Sequence, residues 1–157
     1  MHIRYTHTNI VAADWQRLAR FYEHVFGCTR LPPPRDQSGD WLDRGTGVAG
    51  AHLRGVHLRL PGCGAEGPTL EIYQYDAIEP CPPPAANRKG LGHLAFAVDD
   101  VDAVLEAVLD HGGGALGDLS ETSVPGVGHL RFVYALDPEG NIIELQRWIP
   151  LGKSRSP

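Results

Sequence analysis

The chain is short of cysteine, methionine and aromatic residues, and it has no long apolar run. Cys28, Cys63 and Cys81 are odd in number, far apart, and form no C-x-x-C pair. A disulfide framework and a thiolate zinc site are both excluded as organising devices, and a reducing compartment is the default. No apolar stretch approaches the roughly 18 residues of a membrane helix. The opening MHIRYTHTN lacks the apolar core of a secretory signal, so a cytoplasmic protein with no membrane partner is expected. Basic runs are also missing, and the net charge is −5, which argues against nucleic acid as a partner. What remains is an ordinary globular composition: 157 residues, 42% hydrophobic and 21% charged, enough for one domain or two small modules.

What the chain does have is a repeat. HTNIVAADWQRLARFYEHVFG (7–27) can be set against HLAFAVDDVDAVLEAVLDHGG (93–113). His7, Asp14 and Gly27 are separated by seven and thirteen residues, and His93, Asp100 and Gly113 repeat both intervals. Each copy reads as a strand, an Asp at a helix N-cap, an amphipathic helix and a closing glycine. Trp15, Leu18, Tyr22 and Val25 form the apolar stripe of the first helix; Val101, Val104, Leu105 and Val108 form that of the second. Strand-like sequence follows each helix, at 50–60 and 68–75 in the first copy and at 129–136 and 141–148 in the second. Short strands are expected near Thr29–Leu31 and Ala115–Leu119. The segment 32–50 reads as an irregular excursion, 123–129 as a lid loop, 76–90 as a proline-rich linker and 152–157 as a disordered tail. The fold class expected is α+β. Two tandem βαβββ modules (5–75 and 91–148) form a single domain over 1–151, with a curved mixed sheet around a cleft.

The turn DPEGN (137–141) leads into the strand IIELQ, which places Glu144 among β-branched and aliphatic residues. Taken alone, such a glutamate belongs to a solvated strand face. Glu71 in TLEIY occupies the equivalent position in the first copy, and His7 and His93 are equivalent in the two first strands. The His-to-Glu interval is 64 residues in copy one and 51 in copy two, and the excursion at 32–50 is the right size to absorb the difference. Strand alternation puts one His and one Glu of each module on the face away from its helix. Two imidazoles and two carboxylates are the ligands a divalent first-row ion accepts, and the two negative charges balance the ion. One divalent metal (Ni, Co, Zn, Mn or Fe) held by His7, Glu71, His93 and Glu144 is therefore the expected cofactor.

Further residues lie near this set. Tyr73 shares Glu71's face and is a candidate to line the pocket or donate a hydrogen bond. Arg54 and Arg59 are candidates for a substrate carboxylate or phosphate, against the duller reading of a solvated strand face. His52 and His57, five apart, fall on opposite faces and do not form a joint site. His129 matches neither His7 nor His93.

The tandem layout, HTNIVAAD, GLGHLAFAVDDVDAV and the ending DPEGNIIELQ resemble the vicinal oxygen chelate superfamily, over residue 5 to about 148. That superfamily includes glyoxalase I, methylmalonyl-CoA epimerase, fosfomycin-resistance enzymes, bleomycin-binding proteins and extradiol dioxygenases. The resemblance implies metal ligation by the His of each first strand and the Glu of each last strand, hence His7, Glu71, His93 and Glu144. Four filled positions resemble the glyoxalase and epimerase branches. A lyase or isomerase acting by proton transfer beside a metal-bound carbonyl of a small oxygenated substrate is implied, with Glu144, or else Glu71, as the base. An Fe(II) dioxygenase and a small-molecule binding or antibiotic-resistance protein are the alternatives. The resemblance also implies a homodimer.

Overall fold

The structure is a computed structural model that describes residues 1–150; the tail expected at 152–157 lies outside the described residues. It divides into two compact units, Met1–Pro82 and the chain from Pro83 onward. Each unit carries its own sheet and its own backing helix.

In the first unit, β1 (His7–Val11) is followed by α1 (Trp15–Phe26), β2 (Thr29–Ser38), α2 (Asp40–Thr46), β3 (His52–Arg59) and β4 (Thr69–Tyr75). The sheet order is β1-β4-β3-β2, with β1 parallel to β4 and the other pairs antiparallel. Asp14 caps α1: its side chain accepts from the backbone N–H of Arg17 at 2.9 Å, a bond of about 1 kcal/mol. Gly27 ends the helix at φ 68°, where a side chain would be strained, and its N–H returns to the Glu23 carbonyl. The face of α1 bearing Leu18, Ala19, Phe21 and Tyr22 is buried with Ile10, Val56, Leu58, Leu70 and Ile72. Trp15 sits at the rim with the Arg30 guanidinium 5.7 Å from its ring.

The segment expected as an irregular excursion is regular over most of its length. Strand β2 runs through Pro32, Pro33 and Pro34, and α2 follows it. Prolines survive here because β2 is an edge strand and the ladder is interrupted just there, between Leu31↔His57 and Arg35↔Gly55. Four residues of β2 thus span two of β3. The two extra residues preserve alternation, so Leu31 and Arg35 keep to one face. Leu42 of α2 packs with Ala51 and Leu53, against which Tyr73 and Tyr75 also lie.

In the second unit, β5 (Leu94–Ala97), α3 (Val101–Asp110), β6 (Gly114–Ala115), β7 (Ser120–Val124), β8 (Gly128–Leu136) and β9 (Ile142–Pro150) build a five-stranded mixed sheet. Asp100 caps α3 by accepting from the Ala103 N–H at 3.1 Å. Val101 and Val108 of α3 are buried, as are Val133 and Ala135 of β8 and Ile142, Ile143 and Leu145 of β9. The strand expected at Ala115–Leu119 is shorter, Gly114–Ala115. The expected lid at 123–129 is the turn of the β7–β8 hairpin, in which Val124 pairs with Gly128. Pro125-Gly126 is a turn signal, and the alternating residues on either side pair across it. Both units are therefore mixed-sheet α+β modules of the expected order. The first has a helix inserted and the second an extra short strand.

Candidate metal centre

Pairing register decides which side chains meet on the face of each sheet away from its helix. In the first unit, Asn9, Glu71 and His57 form one transverse row, and Val11, Tyr73, Gly55 and Arg35 form the next. Glu71 is only 9% exposed. A buried carboxylate must find partners, and it has three. Asn9 donates its amide to Oε2 at 2.9 Å, His57 Nε2 lies 2.9 Å from Oε1, and His7 Nε2 lies 3.5 Å from Oε2. A carboxylate only accepts, so His57 carries its proton on Nε2. Its Nδ1 then accepts from the Thr69 hydroxyl at 3.1 Å. Burial lowers the His57 pKa, against the opposing pull of Glu71, and favours the neutral ring. The Tyr73 hydroxyl stands 3.4 Å from His57 Nε2, and burial, with the Glu71 charge nearby, keeps it protonated.

In the second unit, Ala95, Glu144 and Tyr134 form the matching row. His93, one residue before β5, brings Nε2 to 2.8 Å from Glu144 Oε2, and its ring lies 5.0 Å from that of Tyr134. Tyr134 thus stands where the first unit has His57, and Ala95 where it has Asn9. Each unit brings its sequence-predicted His and Glu together.

The arginines singled out in the sequence are placed differently. Arg54 lies on the helix side of β3, opposite to Glu71's face, and donates to Asp76 at 2.8 Å. There it joins His52, whose ring bridges Asp36 (2.7 Å) and Asp76 (2.9 Å). His52 and His57 do fall on opposite faces. Arg59 alternates onto Glu71's side but is exposed at the end of β3, opposite Thr69. His129 is on the helix side of β8, 3.4 Å from Glu121. Three contributors on Glu71's face were not assigned to the site from sequence: His57, Asn9 and Arg35. Asn9 follows from His7 by a two-residue step. The other two needed the cross-strand register.

Two atoms each about 2.1 Å from one divalent ion stand about 3.0 Å apart at a right angle and about 3.4 Å apart at the tetrahedral angle. The N-to-O separations of 3.5 Å (His7–Glu71) and 2.8 Å (His93–Glu144) match that spacing. Each pair also joins an imidazole to a carboxylate, the donor chemistry such an ion takes. Among the described residues no three His, Cys, Asp or Glu side chains form a ready-made cage. What each unit presents is a pair.

Comparison with known proteins follows the same lines. Residues 4–145 match the family model of the Glyoxalase/Bleomycin resistance protein/Dioxygenase superfamily. No curated protein matches the sequence. Among solved structures, a glyoxalase family protein from Bacillus cereus superposes with a TM-score of 0.79 at 18% identity, covering 95% of this chain and 96% of that one. A glyoxalase/bleomycin resistance protein/dioxygenase domain from a Frankia species gives a TM-score of 0.60 at 17% identity, over 95% and 100% of the two chains. A genomically encoded fosfomycin resistance protein from Listeria monocytogenes, in complex with Mn(II) and sulfate, gives 0.53 at 14% identity over 95% of each chain. Such low identities establish a common fold, while the family match spans nearly the whole sequence. The chain belongs to the Glyoxalase/Bleomycin resistance protein/Dioxygenase superfamily, the vicinal oxygen chelate proteins.

Proposed function

We propose that the chain is a divalent-metal-dependent lyase or isomerase that moves a proton at a carbon beside a carbonyl of a small oxygenated substrate. His7, Glu71, His93 and Glu144 would hold the metal. The observation carrying this reading is the duplicated His–Glu pair, an exposed imidazole on a largely covered carboxylate in two modules that otherwise differ. A bound divalent ion supplies Lewis acidity toward the substrate oxygens. The Mn(II) bound to the related fosfomycin resistance protein supports a divalent ion here.

The remaining chemistry falls to the chain. Both oxygens of Glu71 are tied by Asn9 and His57, so this carboxylate is fixed. Glu144 has His93 as its partner among the described residues and is the freer of the two. A carboxylate that takes a proton must be able to change partners, so Glu144 is assigned as the base. Tyr73, kept protonated, would donate to a substrate oxygen on Glu71's face.

Elemental analysis of the purified protein beside His93→Ala and Glu144→Ala tests the reading. About one Ni, Co, Zn, Mn or Fe per site, lost in both variants, is expected. A non-redox metal directs substrate screening to dicarbonyl adducts and 2-substituted acyl thioesters, whereas iron directs it to oxygen consumption. Failure of the wild type to take up any of these metals on reconstitution, with both variants folded, overturns the reading.

A further inference from the structure

Arg35 stands out among the arginines of the first unit. Arg30 is paired with Glu23 at 2.8 Å and Arg54 with Asp76 at 2.8 Å, Arg4 lies 4.0 Å from Glu66, and Arg17, Arg20, Arg44 and Arg59 are exposed. Arg35 has no carboxylate within ion-pair distance among the described residues, yet it is half-buried. One of its N–H groups donates to the Pro33 carbonyl, which aims the guanidinium and leaves most of its five donors unused. The neighbouring Asp36, a natural partner by position, faces the other way and is taken by His52.

The register puts Arg35 on Glu71's face. It pairs with Gly55, which pairs with Tyr73. The missing side chain at Gly55 is required: a Cβ there would come within 2.4 Å of Tyr73 Cδ1 and 2.0 Å of the Ile72 carbonyl oxygen. The Tyr73 ring therefore leans across β3 over Gly55, toward Arg35. There the Arg35 charge bears on the Tyr73 hydroxyl and opposes protonation of His57. The bulge at the three prolines keeps this register, since two extra residues leave Arg35 facing Glu71's side.

We propose that Arg35, with the Tyr73 hydroxyl beside it, binds a carboxylate of the substrate, so that the substrate is an anionic carboxylic acid rather than a neutral carbonyl compound. The inference rests on the reading of Glu71's face as the substrate face, and it deepens that reading by naming the substrate class. A planar guanidinium with free paired donors matches the two oxygens of a carboxylate, and half-burial strengthens the bond over one made in water. One half-buried arginine, with Arg59 exposed at the strand end, on a protein of net charge −5 suits a single carboxylate better than a phosphate dianion, which attracts clustered cations.

The test uses calorimetry with malonate, its neutral diamide and methylphosphonate. Wild type, Arg35→Met and Arg35→Lys are compared, each metal-free and after Mn(II) loading, with metal content measured on the same samples. The wild type is expected to bind malonate at least about tenfold more tightly than the diamide. Arg35→Met should lose that preference while melting normally, and Arg35→Lys should keep part of it. Equal malonate binding by wild type and a folded Arg35→Met overturns the proposal, as does a wild type that does not distinguish malonate from its diamide. Tighter binding of methylphosphonate than of malonate overturns the carboxylate assignment. Normal metal loading with no Arg35-dependent preference sinks this inference alone. An Arg35-dependent preference in protein that takes up no metal sinks the metal reading and leaves this one standing.

Discussion

Asp137 is a polar residue buried at 3% exposure in the turn between β8 and β9, the hairpin that sets Glu144 opposite Tyr134. Its Oδ1 accepts from the backbone N–H groups of Glu139 and Asn141, each at 2.9 Å. Oδ2 accepts from the Asn141 amide at 2.8 Å. Asp137→Ala removes the acceptor and leaves three half-buried donors unmatched, a loss of about 2–4 kcal/mol. For a chain of this length that is roughly 4–16 °C in melting temperature. Asp137→Asn keeps one carbonyl oxygen for the two backbone donors and turns an amide toward Asn141, so its loss should be about half as large. Thermal and urea denaturation followed by circular dichroism, with amide exchange of β8 and β9, measures both variants. A melting temperature for Asp137→Ala within about 1 °C of wild type would show that the turn's hydrogen bonds add nothing beyond what water supplies, and the reasoning would be wrong.

Two other expectations concern titration. His52 is raised above 6.5, first by the hydrogen bond to Asp36 and then by that to Asp76, while Asp76 is lowered below 3.8, chiefly by the bond from His52. The His52 contribution to stability is full below pH 6.5 and fades as pH rises through the raised pKa; that of Asp76 is present above pH 3.8 and fades as pH falls through the lowered one. Imidazole NMR titration should show a His52 midpoint above 6.5 that drops in Asp36→Asn, and an unmoved midpoint would count against the bridge. Burial, with help from the Glu23 charge, pushes the Cys28 thiol up to about 11, whereas Cys63 and Cys81 are exposed. Iodoacetamide at pH 8 should thus modify two thiols quickly and Cys28 at least about a hundredfold more slowly; three equal rates in native protein would refute the burial.

The repeat was legible because its signals are local. An Asp cap, a 3.6-residue stripe and a two-residue alternation each lie within one element, and Asp14, Asp100, Leu18 and Val108 do what those patterns imply. The proline run at 32–34 misled because a strand template rejects proline, while the edge position that tolerates it is a property of the sheet. The hairpin at Ser120–Leu136 was obscured by the glycines of its turn. His7, Glu71, His93 and Glu144 could be named from the repeat alone. His57 could not be tied to Glu71, nor Arg35 to Tyr73, because those pairings depend on antiparallel register, which a single sequence does not state.

Register also shows where the two copies have parted. On the helix side, apolar residues face apolar residues in both: Leu70 and Ile72 in one, Ile143 and Leu145 in the other. On the opposite side only the His and the Glu are kept. His57 of the first unit corresponds to Tyr134, Asn9 to Ala95, and Tyr73 to Gln146, given Glu71 and Glu144 as equivalents. A face kept only for packing tolerates any fitting apolar residue, and a solvated face tolerates any polar one. Neither pressure explains the retention of one His and one largely covered Glu amid neighbours that all changed. The proposed metal ligation would account for that retention. Asn9 and His57 immobilise Glu71, while the loss of both leaves Glu144 free to exchange partners. On the proposed reading the two retained pairs are the ligands, with Glu71 the anchored carboxylate and Glu144 the base.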